Sequence, residues 1–469
     1  MPIVFGNGNK FGDYKGYFTN SLNQEGTGAY GSTMANKFLQ DVKAGRDCLD
    51  IALIGDSNIG YTPGANQQWG WVYGLETALL ANGFAPYATT LVPCMHATAS
   101  NNTAGYLSNL KLDAATDRAQ GQNGGSVTEY KVGSTNGGAV ASAVANIWRS
   151  TGGNYKVFSA ALDFAYIPSG NDINNSQGQF GTKILSNSAF DVKSNFVYRV
   201  GHMLIPFGSG SFTLLCRKTT APAANLSSQL FSTSSANNYE LSIASLNVPA
   251  DASRTGDIVF WKLSGFSGPP APVGPIAFLF ESIYRPGVKG FAVNVMNYAS
   301  GETTAGMANA YTADYPTVKT YLNELRQRQI AAGGSGRVLV VTSTGVNDAS
   351  FGTPGVSDIG VYAAKAQSII GTIQKAWAEL GYPQSDLAFV ITVSHPTEAS
   401  DANMKPGRDA AKSSVAFGSA GQVSFVDMNQ VVSHTYLTAN NMYHPGGNAH
   451  LIGTGYVEGA SRIVTALLK

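Results

Sequence analysis

Four short segments of this 469-residue chain carry side chains able to do chemistry together. They are Gly55-Asp56-Ser57-Asn58, the stretch from Asn297 to Thr304, Gly345-Val346-Asn347-Asp348, and Asn441-Met442-Tyr443-His444-Pro445. Ser57 offers a hydroxyl and His444 an imidazole. A serine hydroxyl is a weak nucleophile until a neighbouring base takes its proton. A histidine that takes that proton can return it to a leaving alcohol. The pair suits acyl transfer, whose tetrahedral intermediate carries an oxyanion that needs preorganised donors. The chain contains no Gly-x-Ser-x-Gly elbow, phosphate-binding loop, His-Glu-x-x-His or Cys-x-x-Cys pattern, so no cofactor and no metal is expected.

The elements that must position these segments can be read from apolar spacing. Buried strands are predicted at residues 49–54, 290–296, 337–342, 387–393 and 423–427. Helices are predicted at residues 33–43, 69–80, 315–330, 359–380 and 455–468. Strands alternating with helices imply a parallel sheet covered on both faces. In such a sheet functional groups gather at the carboxyl ends of the strands. The first three segments follow predicted strands directly and the fourth lies beyond the last one, so all four are expected on one rim.

Between the first βα unit and the second strand the rhythm changes. Strand-like runs at residues 157–165, 196–204, 211–216, 239–246 and 258–263 are separated by stretches rich in Gly, Ser, Asn and Thr. Short strands punctuated by turn residues suggest a β-sandwich. The expected organisation is an extended arm over residues 1–30, a discontinuous α/β domain over 31–83 and 286–469, and an inserted β-rich, sandwich-like domain over 84–285.

The four segments, in this order, resemble the sequence blocks of the SGNH (GDSL-type) hydrolase family. Gly55 to Ser57 matches the first block. Ser300 to Thr303 matches the second, with Glu302 in place of Asp. Gly345 to Asp348 matches the third, and Asn441 to Pro445 the fourth, with Asn441 where the family has Asp. The resemblance covers residues 45–83 and 286–469 and leaves out the insertion. It implies a flavodoxin-like, three-layer α/β domain and a serine esterase. It also implies Ser57 as nucleophile, His444 as base, and an oxyanion hole made by the backbone N–H groups of Ser57 and Gly301 and the side-chain amide of Asn347.

Alternatives stay open at several positions. Taken singly, Ser57 also reads as a helix N-cap, Asn347-Asp348 as a turn and Gly301 as a loop glycine. His450 is a rival base, because Gly455-Tyr456 follows it where the family often has Gly-Tyr after its histidine. His395 and His434 read as structural or surface residues. Asn441 can orient an imidazole by hydrogen bonding but does not stabilise imidazolium as a carboxylate does. The pair can then work as a dyad with Asn441 or the backbone as orienter, or Asp427 can substitute from elsewhere.

Composition narrows the partners. Only 13% of residues are charged, the formal net charge is +1, and Gly contributes 54 residues. A balance without a basic stripe excludes an electrostatic footprint for nucleic acid and fits a neutral glycan. Cys48, Cys94 and Cys216 are odd in number and widely spaced, and read as buried apolar residues. No secretory signal and no membrane span is readable. The composition and the insertion point to a glycan, and the family resemblance then implies a carbohydrate O-acetylesterase acting on an acetylated polysaccharide, expected to be extracellular or virion-associated. The architecture resembles esterase modules of bacteriophage tail proteins, and that analogy suggests a homotrimer. Trp69, Trp71, Tyr61 and Tyr443 lie near the motifs and suit either sugar stacking or, for the two tryptophans, core packing. Two other readings are a non-catalytic glycan-binding or structural virion protein that keeps the fold, and a lipase or thioesterase.

Overall fold

A computed structural model of the chain describes residues 29–30, 33–55, 58–59, 70–88, 92–93, 110–111, 128–131, 163–166, 179–184, 192–204, 210–218, 225–233, 242–255, 258–264, 276–298, 303–313, 315–345, 347–348, 359–393, 395, 422–443 and 450–468.

The chain enters through β1 (Ala29–Tyr30) and α1 (Thr33–Lys43), followed by β2 (Cys48–Gly55) and α2 (Gly70–Ala81). Every residue of β2 is buried, as an interior strand of a sheet covered on both faces requires. Its side chains alternate between two apolar cores. Leu49, Ile51 and Leu53 join one core, and Ala52 and Ile54 join the other. That alternation is the two-residue period of a strand.

Eleven strands follow among the described residues: β3 (Val92–Pro93), β4 (Leu110–Lys111), β5 (Thr128–Lys131), β6 (Asp163–Tyr166), β7 (Gln179–Ile184), β8 (Phe196–Leu204), β9 (Gly210–Lys218), β10 (Asn225–Thr233), β11 (Ser242–Val248), β12 (Ile258–Ser264) and β13 (Ile276–Tyr284). They form a five-stranded sheet in the order β10-β9-β12-β7-β4, a four-stranded sheet in the order β11-β8-β13-β3, and the β5-β6 pair. All their pairings are antiparallel. Tyr198 and Val200 of β8, Ala244 and Leu246 of β11, Leu214 and Cys216 of β9 and Ile258 of β12 are buried in one continuous apolar core.

The α/β part resumes with β14 (Gly290–Tyr298), α3 (Thr304–Ala313), α4 (Tyr315–Ala331), β15 (Arg337–Thr344), α5 (Ile359–Glu379), β16 (Leu387–Val393), β17 (Val423–Val426), α6 (Met428–Val431), α7 (His434–Ala439) and α8 (Gly453–Leu468). The sheet order is β1-β17-β16-β15-β2-β14. β14, β2, β15, β16 and β17 are parallel, and Tyr30 and Ala29 of β1 pair antiparallel with Phe425 and Val426 at the outer edge. The arm predicted over residues 1–30 therefore ends as a sheet edge, and its earlier residues lie outside the described ones. Helices α1, α2 and α8 cover one face, and α3, α4 and α5 the other. This is the three-layer α/β fold expected from the sequence. Counting only the parallel strands, the order is the flavodoxin-like 2-1-3-4-5, with its switch point between β2 and β15.

Below the rim, the amino half of the sheet is braced by polar groups. Asp50 of β2 is fully buried and ion-paired with Arg328 of α4. It also accepts hydrogen bonds from Tyr87 Oη at 2.7 Å, Asn294 Nδ2 at 2.7 Å and Gln329 Nε2 at 3.0 Å. Arg199 of β8 pairs with the buried Glu324 of α4, its Nε lying 2.7 Å from Oε1. That ion pair ties the four-stranded antiparallel sheet to the α/β layers.

Candidate active site

Three strand ends lie in register at the carboxyl edge: Gly55 of β2 stands beside Tyr298 of β14 on one side and Ser343 of β15 on the other. Gly55 is required by this crowding, because a Cβ there would lie 2.4 Å from the Ser343 carbonyl oxygen. Asp56 and Ser57 lie outside the described residues. The chain is described again at Asn58 and Ile59, both buried, whose carbonyls accept from Trp71 N–H at 2.9 Å and Val72 N–H at 3.2 Å. These bonds attach the turn after β2 to the first residues of α2, where a helix has N–H groups without intrahelical partners. The Asn58 side chain accepts a 2.6 Å hydrogen bond from Tyr456 Oη of α8.

The second and third segments are joined to each other. Ser300, Gly301 and Glu302 lie outside the described residues. Thr303 caps α3, its Oγ1 accepting from Gly306 N–H at 3.2 Å. The next residue, Thr304, donates its backbone N–H to both Asp348 oxygens, at 3.2 and 3.1 Å, and its hydroxyl to Oδ2 at 3.0 Å. Asp348 thus places a carboxylate at the positive end of α3 and clamps the chain just beyond β15 to the first residue of that helix. Gly345 turns the chain out of β15 with φ +115°, a conformation that favours glycine. Asn347, the predicted oxyanion donor, is buried directly beside this clamp in the chain.

The fourth segment begins at the end of α7. Asn441 has φ 53°, its N–H reaches Thr438 O at 3.0 Å, and Met442 N–H reaches Leu437 O at 2.9 Å. Together these bonds form a Schellman helix end with Asn441 at its left-handed position, a site suited to glycine or asparagine. Its side chain is exposed. His444 lies outside the described residues. Tyr443, just before it, forms an antiparallel bridge with Leu451, and Ile452 N–H donates to Met442 O at 2.8 Å. These contacts hold Tyr443 and Leu451 side by side, with His444 next after Tyr443 in the chain and His450 next before Leu451. His450 is half-buried, and so is Asp427, which follows β17 at the same edge.

A cluster of rings around His395 completes the rim. His395, two positions beyond β16, is fully buried. Its ring centroid lies 6.4 Å from Trp71, 6.3 Å from Tyr443 and 6.2 Å from Tyr456. Trp71 packs edge-on to Tyr456 at 5.5 Å and is 2% exposed, so it is a core residue and not a sugar platform. Trp69 and Tyr61 lie outside the described residues. Tyr443 is half-buried and also contacts His434, at 5.4 Å between centroids. The strand-end rule that picked out the first three segments, applied to β16, would have found His395; no motif marks it.

Among the described residues no group of three or more His, Cys, Asp or Glu side chains is placed to hold a metal ion. Among the same residues no helix is long and apolar enough to cross a membrane. Cys48 and Cys216 are free and buried, and burial pushes their thiols up to about 11 and about 12, so neither is a reactive thiolate near neutrality.

No family model and no curated protein matches the chain. Solved structures do. One of a peptidoglycan O-acetylesterase superposes with a TM-score of 0.51 at 13% identity, covering 93% of this chain and 96% of that one. An active-site mutant of a family two carbohydrate esterase from Clostridium thermocellum gives a TM-score of 0.27 at 12% identity, over 64% of this chain and 96% of that one. At these identities the first likeness speaks for the three-layer fold, and the second is too slight to add to it.

Proposed function

We propose that this protein is a serine esterase that removes O-acetyl groups from a polysaccharide. The observation that carries the reading is the linkage among the described neighbours of all four segments at one edge of the sheet. Gly55 lies in register with Tyr298 and Ser343, Asp348 clamps Thr304, and Asn58 is tied through Tyr456 to Leu451 and its bridge with Tyr443. The edge lies at the switch point of the sheet, where ligands of such folds bind.

In this reading Ser57 Oγ attacks the acetyl carbonyl while His444 takes its proton. The N–H groups of Ser57 and Gly301 and the Asn347 amide receive the oxyanion. The sugar alcohol leaves with the proton from the histidine, and water hydrolyses the acetyl-enzyme by the reverse proton path, releasing acetate. Loss of one oxyanion donor costs roughly 10²–10³ in turnover. An acetyl ester on a glycan is the substrate class favoured by the low charge of the chain and by the acetylesterase that shares its fold.

The test is a series of p-nitrophenyl esters of increasing acyl length, run beside acetate release from acetylated polysaccharides. The reading expects acetyl to be preferred and acetate to be released from at least one polysaccharide. Preference for long acyl chains would replace it with a lipase or thioesterase, and glycan binding without turnover by the wild-type protein would replace it with a binding protein.

A further inference from the structure

We infer that Tyr456 is a positioning residue that sets the distance between the nucleophile and the base. The inference rests on the esterase reading above. Tyr456 lies in the first turns of α8, and its hydroxyl joins two segments far apart in the chain. It donates to Asn58 Oδ1 at 2.6 Å and accepts from Leu451 N–H at 3.4 Å. Asn58 is the residue after Ser57. Leu451 is the residue after His450 and the bridge partner of Tyr443, which precedes His444. One hydroxyl therefore couples the residue after Ser57 to the Tyr443–Leu451 bridge, which the two candidate histidines adjoin in the chain.

The ring that bears this hydroxyl has little room to move. Tyr456 is 1% exposed and stands edge-on to Trp71 at 5.5 Å and to His395 at 6.2 Å. Trp71 in turn donates its backbone N–H to the Asn58 carbonyl at 2.9 Å, so Asn58 is held through both its backbone and its side chain. Proton transfer between a serine and a histidine depends on heavy-atom separations of about 2.6–3.2 Å. A residue that fixes both chains acts on turnover more than on substrate affinity.

The experiment compares wild type, Tyr456→Phe, Asn58→Ala and the double variant with p-nitrophenyl acetate, each normalised to its content of serine reactive toward a fluorophosphonate. Tyr456→Phe keeps the ring packing and removes only the hydroxyl. The expected result is a fall in kcat of roughly 10- to 100-fold in each single variant, with KM within about twofold. The double variant should be no slower than the slower single one, because both remove the same link. Unchanged kcat per reactive serine in both single variants, with at most a lower melting temperature, would show a purely structural role and overturn the inference. Additive losses in the double variant would do the same. If Tyr456→Phe does not fold, Asn58→Ala decides the matter alone. An inactive wild type would instead sink the esterase reading, and the positioning role with it.

Discussion

The carboxylate of Asp348 accepts both the backbone N–H and the hydroxyl of Thr304, and so fastens the end of β15 to the start of α3. Both residues are buried, at 2% and 0% exposure. The clamp sits between the two segments expected to supply Asn347 and Gly301 to the oxyanion. Replacing Asp348 with Ala strands two buried donors, which costs about 1–3 kcal/mol. Denaturant unfolding should show that loss. Steady-state kinetics should show a lower kcat than in wild type, because the donors no longer hold their places.

Asn441 should behave as a helix terminus. At φ 53° it occupies a conformation that costs an ordinary L-residue about 1–2 kcal/mol. Asn441→Gly is expected to leave both melting temperature and kcat close to wild type, whereas Asn441→Ala lowers stability by about 1 kcal/mol. A large drop in kcat for Asn441→Gly, with stability intact, would instead make the exposed amide the group that orients the catalytic imidazole.

Much of the fold was legible in the chain. The strand at residues 387–393 and the helix at 33–43 are as predicted, because each carries an uninterrupted apolar run or a clean helical face. Helix α3 was not legible: its sequence, TAGMANAYTA, has no charged residue and many small ones, so no polar face contrasts with an apolar one. At the candidate site Gly55, Asn347 and Asp348 stand at or just beyond the ends of β2 and β15, where motifs that follow strands are expected to lie. The left-handed turn at Asn441 was not legible because sequence shows residue type and not φ. The contacts of Tyr456 and His395 were not legible because their placement depends on tertiary packing across several hundred residues.

The two candidate histidines, His444 and His450, make distinct predictions. His444→Ala should abolish turnover of p-nitrophenyl acetate and should slow labelling of Ser57 by a fluorophosphonate. His450→Ala should retain most of the wild-type kcat. The opposite pattern would make His450 the base.

Acid stability should depend on His202 in β8. Burial holds its imidazole neutral and pushes its pKa down to about 4, from 6.5, with the ring's hydrogen bond to the Val200 backbone carbonyl acting against the shift. The unfolded chain therefore binds this proton more readily, and stability falls as the pH drops from about 6.5 toward 4. Two to three pKa units correspond to about 3 kcal/mol. Urea unfolding at pH 7 and at pH 4.5 should show a smaller loss of stability in His202→Gln than in wild type over that interval.

The most direct test of the account is acetate release by wild type and by Ser57→Ala, with circular dichroism showing that both are folded. The account predicts turnover in the wild-type protein and none above background in the variant. Equal acetate release by the two proteins would contradict it.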